Sequence, residues 1–261
     1  MYIFRLLAFT FLLPATILVS AETSTDKWIS LFNGKDLSGW TIKIAGQDLG
    51  VNYKNTFSVE DGVIKVSYAE YKTFNNDFGH LFYEKPFSNY HFRLEYRFTG
   101  EQTPGAPEWA YRNSGIMFHS QSPQSMRKDQ SFPVCVEFQT LGGNGKDKRS
   151  TGNMCSPGSH ITLNGELNTN HCITSSSDTY HGDQWVKAEL LVKDGIIKHI
   201  INGKTVFEYS NPVLDEGDAD AKALHAAGAP LAMTSGYIAL QAEGHNVEYR
   251  NVEIMPLTST K

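Results

Sequence analysis

The stretch Val186-Lys187-Ala188-Glu189-Leu190-Leu191-Val192-Lys193-Asp194-Gly195-Ile196-Ile197-Lys198-His199-Ile200-Ile201-Asn202-Gly203-Lys204-Thr205-Val206-Phe207 decides the fold. Two dipeptides, Asp194-Gly195 and Asn202-Gly203, cut it into three short apolar runs. Such dipeptides favour the backbone that two-residue hairpin turns need. The stretch therefore reads as a meander of three strands, Val186 to Val192, Ile196 to Ile201 and Thr205 to Phe207. The pattern repeats outward from there. Asp61-Gly62 separates two apolar runs within residues 57–66, another hairpin signal. His91 to Phe98 alternates strictly, so Phe92, Leu94, Tyr96 and Phe98 face a core while His91, Arg93, Glu95 and Arg97 face away. Tyr237 to Gln241 and Val247 to Ile254 are expected to form a last strand pair. Only Asp218 to Ala227, Ala-rich and followed by Gly228 and Pro230, has helical character, as a short surface helix or an irregular loop. The expected architecture is all-β, one antiparallel sandwich with long excursions near residues 100–111 and 141–181. Long loops in a compact domain often carry function.

Composition agrees with a folded domain. The 261 residues are 40% apolar, 20% charged and 12% aromatic, which excludes a disordered or collagen-like chain. Lys and Arg number 23 against 28 Asp and Glu, a net charge of -5. That balance offers no electrostatic footprint for nucleic acid or an anionic membrane. Residues 1–21 read as a secretory signal peptide: Arg5 is the positive segment, Leu6 to Val19 the apolar one, and Val19-Ser20-Ala21 the cleavage site. Cleavage after Ala21 leaves residues 22–261 as a single sandwich domain, periplasmic or secreted, with no membrane partner. Export brings an oxidising compartment. Of the three cysteines, Cys155 and Cys172 lie in polar, turn-rich sequence and are the favoured disulfide, while Cys135 sits in an apolar strand. A metal site built from Cys155, His160, His171 and Cys172 is the sharper alternative, although its spacing matches no zinc pattern.

Several strings in order resemble one family. Trp28-Ile29-Ser30-Leu31-Phe32-Asn33-Gly34-Lys35-Asp36-Leu37-Ser38-Gly39-Trp40 is similar to the start of the 3-keto-disaccharide hydrolase family, formerly a domain of unknown function. The likeness continues through Asn113-Ser114-Gly115-Ile116, Val136-Glu137-Phe138-Gln139, Trp185, Asn202-Gly203-Lys204, Gly236-Tyr237-Ile238-Ala239-Leu240-Gln241 and Tyr249-Arg250-Asn251-Val252. The resemblance implies a concanavalin-A-like β-sandwich, or jelly roll, of two curved antiparallel sheets. It also implies action on 3-keto-glycosides, sugars whose C3 hydroxyl has been oxidised. Where relatives often carry Gln-Asp-His-Gly, this chain has Gln241-Ala242-Glu243-Gly244-His245.

Strand parity then sorts the polar residues. Cys135, Glu137 and Gln139 point away from Val134, Val136 and Phe138; Asn113, Gly115, Met117 and His119 point away from Ile116 and Phe118; Gln241 and Glu243 point away from Ile238 and Leu240. His119, Glu137, Gln139, Gln241 and Glu243, with Arg93 and His199, are therefore expected on one ligand-facing surface. Glu137 is the first catalytic candidate, because a carboxylate in an apolar strand is costly unless paired or used; the competing reading is an ion pair with Arg93 or Lys198. His119 is the second, with a satisfied surface histidine as its competing reading. Asn113 and Gln139 suit hydrogen bonding to hydroxyls or strand pairing. Trp109 and Tyr111 suit stacking on a sugar ring or anchoring of their loop.

The C3 ketone makes the C2 proton acidic, so one base, Glu137 or His119, would form an enolate that expels the aglycone before water adds back. The enolate oxygen calls for Arg93, His199 or a divalent metal ion. Glu137 with Glu243 would instead serve as an ordinary acid and nucleophile pair. The expected partner is an oligosaccharide or glycoside, with no nucleic acid. Two competing readings are a non-catalytic carbohydrate-binding module and a surface interaction domain.

Overall fold

A computed structural model describes residues 27–260. The segment read as a signal peptide, residues 1–21, lies outside them. In chain order the strands are β1 (Ile29–Ser30), β2 (Trp40–Ile44), β3 (Phe57–Glu60), β4 (Val63–Val66), β5 (Gly79–Tyr83), β6 (Tyr90–Gln102), β7 (Asn113–Ser120), β8 (Val136–Leu141) and β9 (Asn153–Cys155). There follow β10 (Ser159–Leu163), β11 (Glu166–Asn168), β12 (Cys172–Ile173), β13 (Val186–Lys193), β14 (Ile196–Ile201), β15 (Lys204–Leu214), β16 (Tyr237–Ala242) and β17 (His245–Pro256). The α-helix α1 (Ala219–Ala226) precedes β16, with the Asp218 side chain accepting from the Ala221 N–H as its N-cap. Helix, the first of the two forms expected there, is therefore the one adopted.

The three dipeptide turns form as read. Their central residues all have positive φ: Asp61 and Gly62 at 52° and 75°, Asp194 and Gly195 at 50° and 83°, Asn202 and Gly203 at 47° and 82°. This is the turn whose twist matches that of the flanking strands. The strands form two antiparallel sheets packed as a β-sandwich. One has ten strands, β11-β10-β15-β14-β13-β6-β17-β4-β3 with β1 beside β17; the other has seven, β12-β9-β8-β7-β16-β5-β2. Phe92, Leu94 and Tyr96 of β6 face Ile116, Phe118, Phe138 and Leu240 of the second sheet across one apolar core. Each fully buried Phe or Leu there contributes about 1.5–3 kcal/mol.

One pairing differs from expectation. Residues 237–242 and 245–256 are consecutive strands, but they lie in different sheets. The chain changes sheet at Gly244, which has φ 93° and packs so closely that a Cβ would lie 2.7 Å from that of Ala106. β16 instead pairs with β5 and β7, and β17 with β4 and β6. The excursion at 141–181 is not all loop, since it supplies β9 to β12. Among the described residues no helix is long and apolar enough to cross a membrane.

Candidate active site

The outer face of the seven-stranded sheet carries the polar residues that parity assigned to it. Across β7, β8 and β9, Gly115 pairs with Gln139 and Gln139 with Asn153; beside them Met117 pairs with Glu137 and Glu137 with Cys155. Gly115 makes room for the acid: a Cβ there would lie 2.5 Å from Glu137 Oε1. A cavity of about 530 Å³ opens over these strands. Its floor includes Glu137, Gln139 and Asn113; Glu243 enters from the end of β16; Trp109, Phe132 and Leu141 supply apolar wall. Trp109 is 52% exposed and stacks on Phe78 with ring centroids 5.9 Å apart, a flat surface at the cavity rim.

Glu137 and Glu243 are both buried, and among the described residues neither joins an ion pair. The partners suggested for Glu137 are engaged elsewhere, Arg93 with Glu253 at 2.7 Å and Lys198 with Glu208 at 3.1 Å. Burial pushes the pKa of Glu137 up to about 8, above the ordinary carboxylate range. Glu243 is raised well above it, first by burial and then by the neighbouring charge of Glu137, with Arg149 opposing. Two like charges in a low-dielectric cavity resist joint ionisation, so the pair retains a proton near neutrality. Once one carboxyl ionises, its charge holds the proton on the other, which leaves a base beside an acid. Unmet hydrogen-bonding capacity surrounds them: Glu243 Oε2, Asn113 Oδ1 and both amide atoms of Gln241 are buried without a hydrogen-bond partner. Such groups call for water or ligand hydroxyls. Gln241 pairs across the strands with buried His80, which burial holds neutral by lowering its value to about 3.

Five of the sequence candidates thus share one cavity: Glu137, Gln139, Asn113, Trp109 and Glu243. Gln241 lies on the same sheet, buried behind it. Three do not join them. Arg93 projects from the ten-stranded sheet on its outer face, where it pairs with Glu253 and lies 3.8 Å over the Trp28 ring. His199 lies in the core between the sheets, with Nε2 2.9 Å from the Tyr209 hydroxyl and Nδ1 3.0 Å from the Gly152 carbonyl. It is a satisfied core histidine, pushed down to about 3 by burial. His119 departs for a different reason. A bulge in the pairing of β7 with β16 gives it φ 46° and breaks the alternation, so it lines cavities with Met233 and Thr234 instead.

Arg149 was not among the sequence candidates. It lines the cavity from the loop after β8, held by Nη1 bonds to the Gly142 and Arg112 carbonyls at 2.7 and 3.0 Å. Its setting, Gly145-Lys146-Asp147-Lys148-Arg149, reads as a solvated charged turn, and nothing local marks its burial. Cys155 and Cys172 are disulfide-bonded and form part of the cavity wall, with His171 beside them. Their sulfurs therefore do not serve the alternative metal set with His160 and His171. Among the described residues no group of three or more His, Cys, Asp or Glu is placed to hold a metal ion.

A family model described as the 3-keto-alpha-glucoside-1,2-lyase-like domain matches residues 27–255. No curated protein matches. Two solved structures from Parabacteroides distasonis, each described as a "putative glycosyl hydrolase", are similar in fold. One is 22% identical, covering 89% of this chain and 95% of that one, with TM-score 0.52. The other is 18% identical, covering 88% and 100%, also with TM-score 0.52. A Bacillus subtilis protein of unknown function with a galectin-like fold is 12% identical over 85% and 91%, with TM-score 0.50. At these identities the likeness establishes the sandwich fold.

Proposed function

The chain belongs to the 3-keto-alpha-glucoside-1,2-lyase-like family, and from that premise we propose that it cleaves 3-keto-glycosides by elimination. The observation that carries this reading is the pair of buried carboxyls, Glu137 and Glu243, raised together in one sugar-sized cavity. Glu137 removes the C2 proton, and the C–H electron pair becomes the enolate conjugated with the C3 oxygen. The enolate electrons then form the C1–C2 double bond as the C1–O bond breaks. The protonated Glu243 gives its proton to the departing aglycone oxygen. Water adding across the resulting enone completes a net hydrolysis. Arg149 supplies positive charge that offsets the charge developing on oxygen. Asn113 and Gln139 meet ring hydroxyls, and Trp109 offers its face to the ring. The disulfide supports the further reading that residues 1–21 direct export to the periplasm or beyond.

The test is aglycone release from 3-keto-glucosides by the purified protein, with common divalent metals supplied. Turnover is expected, with Glu137→Gln losing about 10²–10⁴-fold and His119→Ala leaving the rate unchanged. Sugar binding without turnover, surviving Glu137→Ala, would instead identify a carbohydrate-binding module.

A further inference from the structure

Two cavities meet at His119, apart from the carboxyl pair. The smaller, of about 360 Å³, is lined from the end of β7, the 121–125 turn and helix α1. The larger, of about 430 Å³, is lined from the turn between β13 and β14. His119, Ala232, Met233 and Thr234 line both, and neither cavity shares a lining residue with the one holding Glu137. Backbone contacts hold this wall in place. The Met233 N–H donates to the Pro212 carbonyl at 2.9 Å, and Phe87 and Gly236 exchange backbone hydrogen bonds at 2.9 and 3.0 Å. Gly236 packs so closely that a Cβ there would stand 2.3 Å from the His119 carbonyl carbon.

His119 is only 5% exposed, yet its buried Nδ1 has no hydrogen-bond partner among the described residues. Its φ of 46°, uncommon outside glycine, is set by the bulge against β16. Uncommon backbone and unmet buried groups gather where ligands bind. Burial keeps the ring neutral, with its pKa lowered to about 4, so one ring nitrogen donates and the other accepts. The smaller cavity then restricts the ligand. No Asp, Glu, Lys or Arg lines it, which suits a neutral molecule. Val134, Leu214, Leu224 and Met233 supply apolar surface. The hydroxyls of Ser120, Ser122 and Ser125 and the Gln121 amide are already bonded to one another or to the backbone. His119 is thus the buried group still unmet, and it calls for one polar contact on an otherwise apolar body.

We propose that the smaller cavity binds a small neutral phenol, its hydroxyl hydrogen-bonded to His119 and its ring against Leu224 and Met233. The site is separate from the Glu137 cavity and does not depend on the reaction proposed there. A phenol fits better than an aliphatic alcohol, because its hydroxyl is the stronger donor to an imidazole nitrogen and its ring meets the Met233 sulfur favourably. It fits better than a sugar ring, most of whose hydroxyls would face apolar side chains or groups already engaged. A volume of about 360 Å³ lies at the small end of ligand pockets and suits a single ring.

The experiment measures binding of p-cresol, toluene, cyclohexanol and glucose to the purified protein by calorimetry. Saturable one-site binding of p-cresol is expected, with cyclohexanol and glucose weaker by about tenfold or more. His119→Ala should weaken p-cresol about tenfold without weakening toluene. If that variant does not fold, the imidazole nitrogen resonances of His119 in the unsubstituted protein decide the matter: they should move further with p-cresol than with toluene. Absence of saturable p-cresol binding overturns the site, as does cyclohexanol or glucose binding as tightly. Equal losses of p-cresol and toluene in His119→Ala, or equal movement of the His119 resonances, overturn it too. Displacement of p-cresol by methyl 3-keto-glucoside in the Glu137→Gln protein would place the phenol in the Glu137 cavity and overturn it as well.

Discussion

Gly115 shows how one residue sets the chemistry of its neighbours. Its backbone φ is not left-handed, so an alanine strains nothing in the strand; only the space is lacking. The Cβ would stand 2.5 Å from Oε1 of Glu137, 2.8 Å from its Cγ and 2.9 Å from its Cδ. The carboxylate must therefore shift while the fold stays. A displacement of about 1 Å costs roughly 10²-fold in a positioned reaction. Gly115→Ala should thus lower kcat on a 3-keto-glycoside by about that factor, with KM changed little and the circular dichroism spectrum unaltered. Steady-state kinetics on the folded variant decides it; a KM effect alone would mean that Glu137 only binds. That Glu137 called for an explanation was legible in the sequence, because a carboxylate inside Val134 to Phe138 has to be paired or used, and it is not paired. The importance of Gly115 was not, since its role is the absence of a side chain beneath a residue on another strand.

At the scale of elements, alternation told faces apart but not sheets. It placed Glu137, Gln139 and Gln241 on the outer face of the seven-stranded sheet, where they lie. It could not tell that Arg93 belongs to the other sheet, because the outward faces of both sheets look alike in a strand read alone. It failed at His119, where one bulge reverses the parity, and at His199, whose neighbours Ile196 to Ile201 are apolar on both faces. The three tight turns were legible because their dipeptides encode positive φ locally. The crossing between sheets at Gly244 was not, because it depends on a distant contact with Ala106. The excursion that walls the Glu137 cavity is tied by Cys155 and Cys172, directly opposite each other on β9 and β12. Their sequence separation is 17, and a closed loop of that size contributes about 3 kcal/mol. For a chain of this length that corresponds to about 6–12 °C in Tm. A Cys155→Ser/Cys172→Ser variant should lose this much in calorimetric Tm, and an unchanged Tm would show that β9 and β12 are held by their other contacts.

For the whole molecule, buried titratable groups of opposite sign bracket its stability. Burial lowers His80 and His199 to about 3 and His119 and His245 to about 4. These four stay neutral when folded, whereas unfolding lets them take protons below about pH 6.5. Their folded values are depressed, so their contribution is intact above the unfolded value and is lost as the pH falls below it. Glu137 and Glu243 act the other way. Their folded values are raised, so their contribution is intact below about pH 4.3, the unfolded value, and is lost as the pH rises toward the folded ones. Between about pH 4.3 and 6.5 the unfolded chain gains up to four protons on histidine while the folded chain retains up to two on glutamate. The net of about two gives stability that rises with pH by up to about 2.7 kcal/mol per unit. Above about pH 6.5 the histidines no longer contribute and the carboxyl pair reverses the slope. Tm should therefore peak between about pH 6 and 7. In a Glu137→Gln/Glu243→Gln variant the alkaline arm should flatten and the acid arm steepen, because only the histidine protons remain. Scanning calorimetry of both proteins from pH 4 to 9 reads the two arms separately. A Tm that climbs steadily to pH 9 in the unsubstituted protein would mean that Glu137 and Glu243 ionise freely, and the shared proton on which the proposed acid and base depend would not exist.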